Sequence, residues 1–292
     1  MKHQAAILDP VADHARSLFL DLVPGVDPRP ALRQLAAACD GRTALLGIGA
    51  PVAAALGVTV SGLRGFPDLP DATPAIPATQ HALWLWLRGD EPGDLLHQGR
   101  ALEALAAPAF TPVQVLDAYR YRGSRDLTGY EDGTENPQGD EAVAVAVAQG
   151  LGAGLDGSSF AAVQLWLHDF SAFDAMPRAE QDDCIGRNRD SNEELDDAPG
   201  SAHVKRTAQE GFEPPAFVVR RSMPWTQGAD AGLVFLAFGK SFGAFEALLR
   251  RMTGHDDGVS DALFRFTRPL TGGFYWCPPM RGAGIDLAAL GL

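Results

Sequence analysis

Apolar and polar positions follow two rhythms along this chain, and the rhythms occur in the same order twice. Leu18–Leu22 is a short, mainly apolar run ending near Pro24-Gly25, the signature of a buried strand. Asp27–Cys39 follows with apolar residues at Leu32, Leu35, Ala36 and Cys39 and a proline near its start. That spacing predicts a helix, with Asp40-Gly41 as its stop. Thr43–Ile48 and Ala82–Leu87 read as strands, Gly93–Ala106 as a helix, and Pro112–Tyr121 as a strand alternating at Val113 and Val115. In the second half Phe160–Leu167 is a strand, and Ala172–Ile185 a helix weakened by Pro177. Ala216–Arg220 and Ala231–Phe238 are strands separated by a Pro-Trp turn, and Phe242–Met252 is a helix with Phe245, Leu248, Leu249 and Met252 on one face. Strand, helix, strand, strand, helix, strand is the order of a ferredoxin-like unit. The expected architecture is therefore α+β: two such units, residues 1–122 and 123–292, with antiparallel sheets and peripheral helices. No sequence identity links the halves, so the repeat rests on pattern.

A length of 292 residues agrees with about two domains. The net charge of −13 makes nucleic acid and anionic lipid poor partners. The three cysteines, Cys39, Cys184 and Cys277, are too few and too scattered for a disulfide framework. The N-terminal apolar run Ala5–Leu8 stops at Asp9-Pro10, short of a secretory h-region, and no apolar run approaches a membrane span. The cytoplasm is the expected location.

Two polar segments interrupt the rhythm: Gly123–Gly139, and Asp182–Glu213. Long loops in compact domains often carry function. Gly129-Tyr130-Glu131-Asp132-Gly133-Thr134-Glu135-Asn136-Pro137 is the most distinctive stretch. Alone it is either a solvated Asp-Gly turn or a calcium or catalytic loop, though the EF-hand ligand spacing is missing. His203 is one of seven histidines, none with HExxH spacing, and there is no Cys-x-x-Cys. That argues against a zinc site built from a local motif, while a metal held by one protein ligand, as in haem, stays open. Arg220 and Arg221 end a predicted strand and cannot both face inward, since strand side chains alternate. Asp261 by itself reads as a helix cap.

Taken in order, these residues resemble the dye-decolourising peroxidase family, in its intracellular bacterial subclass. The carriers are G-x-x-D-G at Gly129–Gly133 with its Thr-Glu-Asn-Pro extension, Ile185-Gly186-Arg187, the segment around His203, Arg-x-Ser-Met-Pro at Arg220–Pro224, and Phe266–Gly272. The likeness runs from about residue 119 to 279; the first half fits in pattern only. One departure is Ala202, which stands between Ser201 and the histidine where members often have Ser directly.

The resemblance implies a non-covalent haem b held by the second unit. His203 would be the iron ligand and Asp261 the acceptor for its other ring nitrogen. Asp132 and Arg220 would be the catalytic pair on the peroxide face. Ser222 would be a polar neighbour there, Gly133 and Thr134 would bind the cofactor, and Arg187 would pair with a propionate. The implied reaction reduces hydrogen peroxide and oxidises organic donors such as dyes and phenols. A haem-handling protein with incidental peroxidase activity is the alternative, and an enzyme of the chlorite-converting haem fold a third. Trp225, Trp166 and Tyr275 are either electron relays to bulky donors or core aromatics. The resemblance also implies a homo-oligomer. The tail Gly282–Leu292 is either a docking peptide for an encapsulating shell protein, which some members carry, or a packed chain end, the favoured reading.

Overall fold

The computed structural model describes residues 2–69, 72 and 74–292. Its first unit is built from β1 (His14–Leu22), α1 (Arg29–Ala38), β2 (Ala44–Ile48), α2 (Ala50–Leu56), β3 (Leu83–Gly89), α3 (Pro92–Ala106) and β4 (Phe110–Tyr119). The strands lie in the order β4-β1-β3-β2, all antiparallel. After α4 (Gly139–Ala146) the second unit opens with β5 (Ser159–His168). A long crossover then carries α5 (Phe170–Ala175), α6 (Arg178–Ile185) and α7 (His203–Arg206). The unit closes with β6 (Val219–Arg220), β7 (Met223–Gln227), β8 (Asp230–Gly239), α8 (Gly243–Met252), β9 (Thr267–Pro269) and β10 (Gly273–Cys277). Here the order is β10-β5-β8-β6, the same permutation as in the first unit. The sheets join where Trp276 of β10 pairs with Ile48 of β2.

Alternation along the strands assigns each face. On β5, Ala161, Val163 and Leu165 enter an apolar layer shared with Phe19, Trp84 and Trp86 of the first sheet. Phe160 and Ala162 face the helices instead. The two sheets therefore pack face to face, with helices outside both. The C-terminal tail is packed into the helix-side core through Ile285, Leu287 and Leu290. Among the described residues no helix is long and apolar enough to cross a membrane.

Several expected boundaries shift. Pro177 divides the expected 172–185 helix into α5 and α6, because it supplies no N–H to the preceding turn. The expected Pro-Trp turn at Pro224-Trp225 is strand β7, paired to β8 with Pro224 opposite Leu233. Proline is tolerated there because β7 lies at a sheet edge. Strand β10 and helices α2 and α4 were not expected as elements; all are short.

Candidate functional site

In the second unit the helix layer stands away from the sheet and leaves a cavity of about 370 Å³. Its sheet wall carries Gln164 and Trp166 of β5, Leu233 and Phe235 of β8, and Arg220 of β6. Arg220 pairs with Ala237 and is followed by Arg221, whose Nη2 donates to the Leu8 carbonyl at 2.8 Å. Only the first of the two arginines lines the cavity, as alternation requires.

Asp132 reaches the same cavity from the glycine-flanked loop, with its Oδ1 3.4 Å from Arg220 Nη1. Asn136 fixes the loop to β6 from both sides. Its Oδ1 accepts the Arg220 backbone N–H at 2.7 Å, and its Nδ2 donates to the Arg220 carbonyl at 3.1 Å. This clamp explains Gly133: its φ is +78°, and a Cβ there would lie 2.7 Å from Asn136 Nδ2. Gly133 thus shapes the loop, whereas Thr134 lines the cavity itself.

The helix wall contains Leu248, Leu249 and Met252 of α8 and His203, the first residue of α7. The His203 Nδ1 meets Asp261 Oδ2 at 2.7 Å. An ionised carboxylate only accepts, so the proton is assigned to Nδ1 and Nε2 is left as the ring's lone-pair nitrogen. The Asp261 side chain is wholly buried, and its Oδ1 accepts the Leu263 N–H at 2.8 Å. Asp261 is therefore both the helix cap read from sequence and the partner of His203. The short α7 is tied down by Arg206, which bonds both carboxylate oxygens of Asp257 at 2.7 Å and the Arg251 carbonyl at 2.6 Å.

Two expected site residues sit differently. Arg187 lines the cavity, but its Nη2 is engaged by Glu135 at 2.7 Å and Glu194 at 3.6 Å. Ser222 does not line the cavity. It occupies the break between β6 and β7, where its hydroxyl accepts the Leu236 N–H at 3.3 Å, and it borders a small recess shared with Asp132. Trp225 is buried between the sheets with its indole N–H on the Trp166 carbonyl, and Tyr275 is buried in the same layer. Trp166 is buried and lines the cavity.

The family model for the C-terminal part of Dyp-type peroxidases matches residues 123–282. The chain belongs to this family. It is 34% identical over 208 residues to a dye-decolorizing peroxidase of Mycolicibacterium paratuberculosis, covering 64% of this chain and 58% of that protein. To a Mycobacterium tuberculosis dye-decolorizing peroxidase it is 30% identical over 226 residues, covering 74% and 66%. These matches span under two thirds of the curated relatives' length. Among solved structures, a dye-decolorizing protein of Vibrio cholerae superposes with a TM-score of 0.82 at 26% identity, covering 94% of this chain and 96% of that one. A variant of Rhodococcus jostii RHA1 DypB in complex with haem gives 0.85 at 26%, covering 94% and 95%.

The residues present in this Dyp-type chain fit a haem. The walls are mainly apolar, the size lies in the range of cofactor pockets, and one imidazole nitrogen is free while the other is held by a carboxylate. Sequence reasoning missed the sheet wall. Gln164, Leu233 and Phe235 carry no motif, and their exposure to the cavity follows only from the strand register. It also passed over the pair His168–Asp126, 3.0 Å apart at one corner. Burial pulls the Asp126 carboxyl upward, but hydrogen bonds and charge from His168, with bonds from Thr128, hold it below the usual carboxylate range.

Proposed function

We propose that this protein is a haem peroxidase that reduces hydrogen peroxide to water and oxidises organic donors in one-electron steps. The observation that carries the proposal is the placement of two pairs on one cavity: His203 with Asp261 on the helix wall, and Asp132 with Arg220 at the sheet wall. A bound haem would supply the redox chemistry, two electrons for the oxygen–oxygen bond that organic donors return one at a time.

His203 would hold the iron through Nε2, and Asp261 keeps the ring in one tautomer and raises its basicity. Cleavage of peroxide needs a proton moved from the inner to the outer oxygen, so that water can leave. Asp132 is the carboxylate placed to take that proton and return it. Arg220 stays charged and offers several donors to the oxygen on which negative charge grows. The Asn136 clamp keeps these two at a set separation. Thr134 and Arg187 would hold the cofactor's polar edge, Arg187 by exchanging Glu135 for a propionate. Gly133 and Ser222 act indirectly, through the loop and the strand break.

The same proposal includes the division near residue 122, a cytoplasmic location and assembly into a homo-oligomer. The location is supported by three buried, unpaired thiols. The test is direct. Purified protein with haem should show a strong Soret band and react with hydrogen peroxide. Asp132→Ala and Arg220→Ala should each slow that reaction by roughly 10²–10⁴-fold. His203→Ala should lose the histidine-ligated spectrum. A normal spectrum whose peroxide reaction ignores both distal substitutions would instead indicate a haem-handling protein.

A further inference from the structure

The crossover of the second unit turns back on itself between Arg187 and Glu194, which pair as an isolated antiparallel bridge. Asn188 makes the turn. Its Oδ1 accepts the N–H groups of Asp190 and Ser191 at 2.9 and 3.0 Å, and its carbonyl accepts the Asn192 N–H at 2.8 Å. Asn192 follows with a φ of +60°, a left-handed conformation that asparagine tolerates better than most residues with a Cβ.

From that position Asn192 holds three groups. Its Nδ2 donates to Glu131 Oε2 at 2.9 Å and to Thr134 Oγ1 at 3.1 Å, and its carbonyl accepts Arg187 Nη1 at 3.0 Å. The amide has one orientation only. Turned over, its oxygen would face the Glu131 carboxylate, which only accepts and is itself held by Arg125 Nη2 at 2.8 Å. Thr134 and Arg187 line the cavity, whereas Asn192 stands behind them.

This arrangement decides where two donors point. A hydroxyl has one proton to give. With the Asn192 N–H on the Thr134 oxygen, that proton must point away from Asn192, and no acceptor among the described residues takes it. Arg187 is turned in the same way: with Nη1 on the Asn192 carbonyl, Nη2 is the nitrogen offered to Glu135 at 2.7 Å. A neutral donor and a charged one are thus set from a single residue, and a carboxylate is a group that both recognise.

We propose that Asn192 is a positioning residue for the cofactor's acid groups, which turns the Thr134 hydroxyl and the Arg187 guanidinium toward a carboxylate at the cavity rim. This rests on the haem-peroxidase reading and names how the same cavity selects a cofactor with free carboxylates. The test compares haem with haem dimethyl ester, in which both acid groups are masked. Protein loaded with either is mixed with excess apomyoglobin, and release is followed by absorbance. Asn192→Gly keeps the left-handed backbone and its carbonyl on Arg187, and removes only the amide. It should speed haem release about three- to tenfold and leave ester release within about twofold of the parent. Thr134→Val should speed haem release to a similar degree. The double variant should add little to either, because both changes remove the same oriented hydroxyl. Asn192→Asp sets a carboxylate against Glu131 in place of the donor; it should show the same haem-selective loss and stands in if the glycine variant folds poorly. Equal acceleration for haem and ester would mark a residue that only stabilises the loop and would overturn the inference. Unchanged haem release, or additive effects in the double variant, would do the same. All three results leave the peroxidase reading intact, whereas a parent protein that takes up no haem overturns both.

Discussion

The two units share one strand permutation, yet one is filled and the other is hollow. In the first, the residues that β1 and β3 turn toward the helices are Leu18, Leu20, Leu85 and Leu87. Helices α1 and α3 close directly onto them through Leu32, Leu35 and Leu102. In the second, the equivalent face of β5, β8 and β6 offers Gln164, Trp166, Phe235 and Arg220, and α8 stands over a cavity. The crossovers differ in the same sense. Residues 23–43 connect β1 to β2 with one packed helix, whereas residues 169–218 connect β5 to β6 and carry Arg187 and His203. The fold supplies the scaffold twice. The second unit differs in carrying polar residues where the first has leucines on one sheet face, and in a longer crossover that carries His203 over it.

That contrast can be broken first in the cores. Leu35 is fully buried in the filled unit, so Leu35→Ala should destabilise the haem-free protein by about 2–5 kcal/mol in denaturant unfolding. Leu248 faces space that already exists, and Leu248→Ala should cost clearly less, about 1–2 kcal/mol. With haem bound, the order should narrow, because Leu248 would then touch the cofactor. Equal costs in the haem-free protein would mean that the second unit collapses onto its cavity when empty.

A smaller effect tests how the crossover that carries His203 is anchored. Arg206 holds Asp257, whose carboxyl is lowered to about 2, chiefly by that hydrogen-bonded pair. A carboxyl lowered on folding contributes stability that is fully present above its unfolded pKa, near 3.8, and is lost as pH falls toward 2. Asp257→Asn should therefore lower stability at neutral pH and flatten its decline over that acid range. The check is thermal unfolding of parent and variant from pH 2 to 6. Parallel curves would remove Asp257 from the account of acid sensitivity.

Much of this was legible in the sequence because it was written in local chemistry. The strand–helix rhythm recurs in side-chain period, and Asp132, His203, Arg220 and Asp261 stand in motif segments. That Arg220 and Arg221 cannot both face inward followed from strand alternation; which of the two lines the cavity did not. What was not legible depends on register. Gln164 becomes a wall residue only because β5 lies beside β8 at Phe235. Ser222 fills a strand break because β6 and β7 share one edge of β8, which a linear reading saw as strand and turn. Arg187 was expected to meet a propionate, and its standing partners Glu135 and Glu194 lie far from it in one case and near in the other. Long-range partners of this kind carry no sequence period.

The outer rim sharpens the contrast in charge. Glu131, Glu135, Glu194 and Glu210 line the cavity and are exposed. Three of them are paired with cations: Glu131 with Arg125 at 2.8 Å, Glu135 with Arg187, and Glu194 with Lys205 at 2.8 Å and Arg187 at 3.6 Å. Glu210 leaves the approach a small excess of negative charge, in a chain of net charge −13. A cationic donor should be drawn in and an anionic dye held off, and both effects should fade as salt shortens the screening length to about 8–10 Å. For the haem-loaded protein, kcat/KM for a cationic phenylenediamine-type donor should fall about threefold between 10 and 200 mM salt, on the order expected for weak steering. For a sulfonated dye it should rise over the same range. Glu210→Gln should shrink both slopes, because Glu210 has no basic side chain paired to it among the described residues. A cationic donor whose rate ignores salt would show that donors are oxidised elsewhere on the surface, away from this rim.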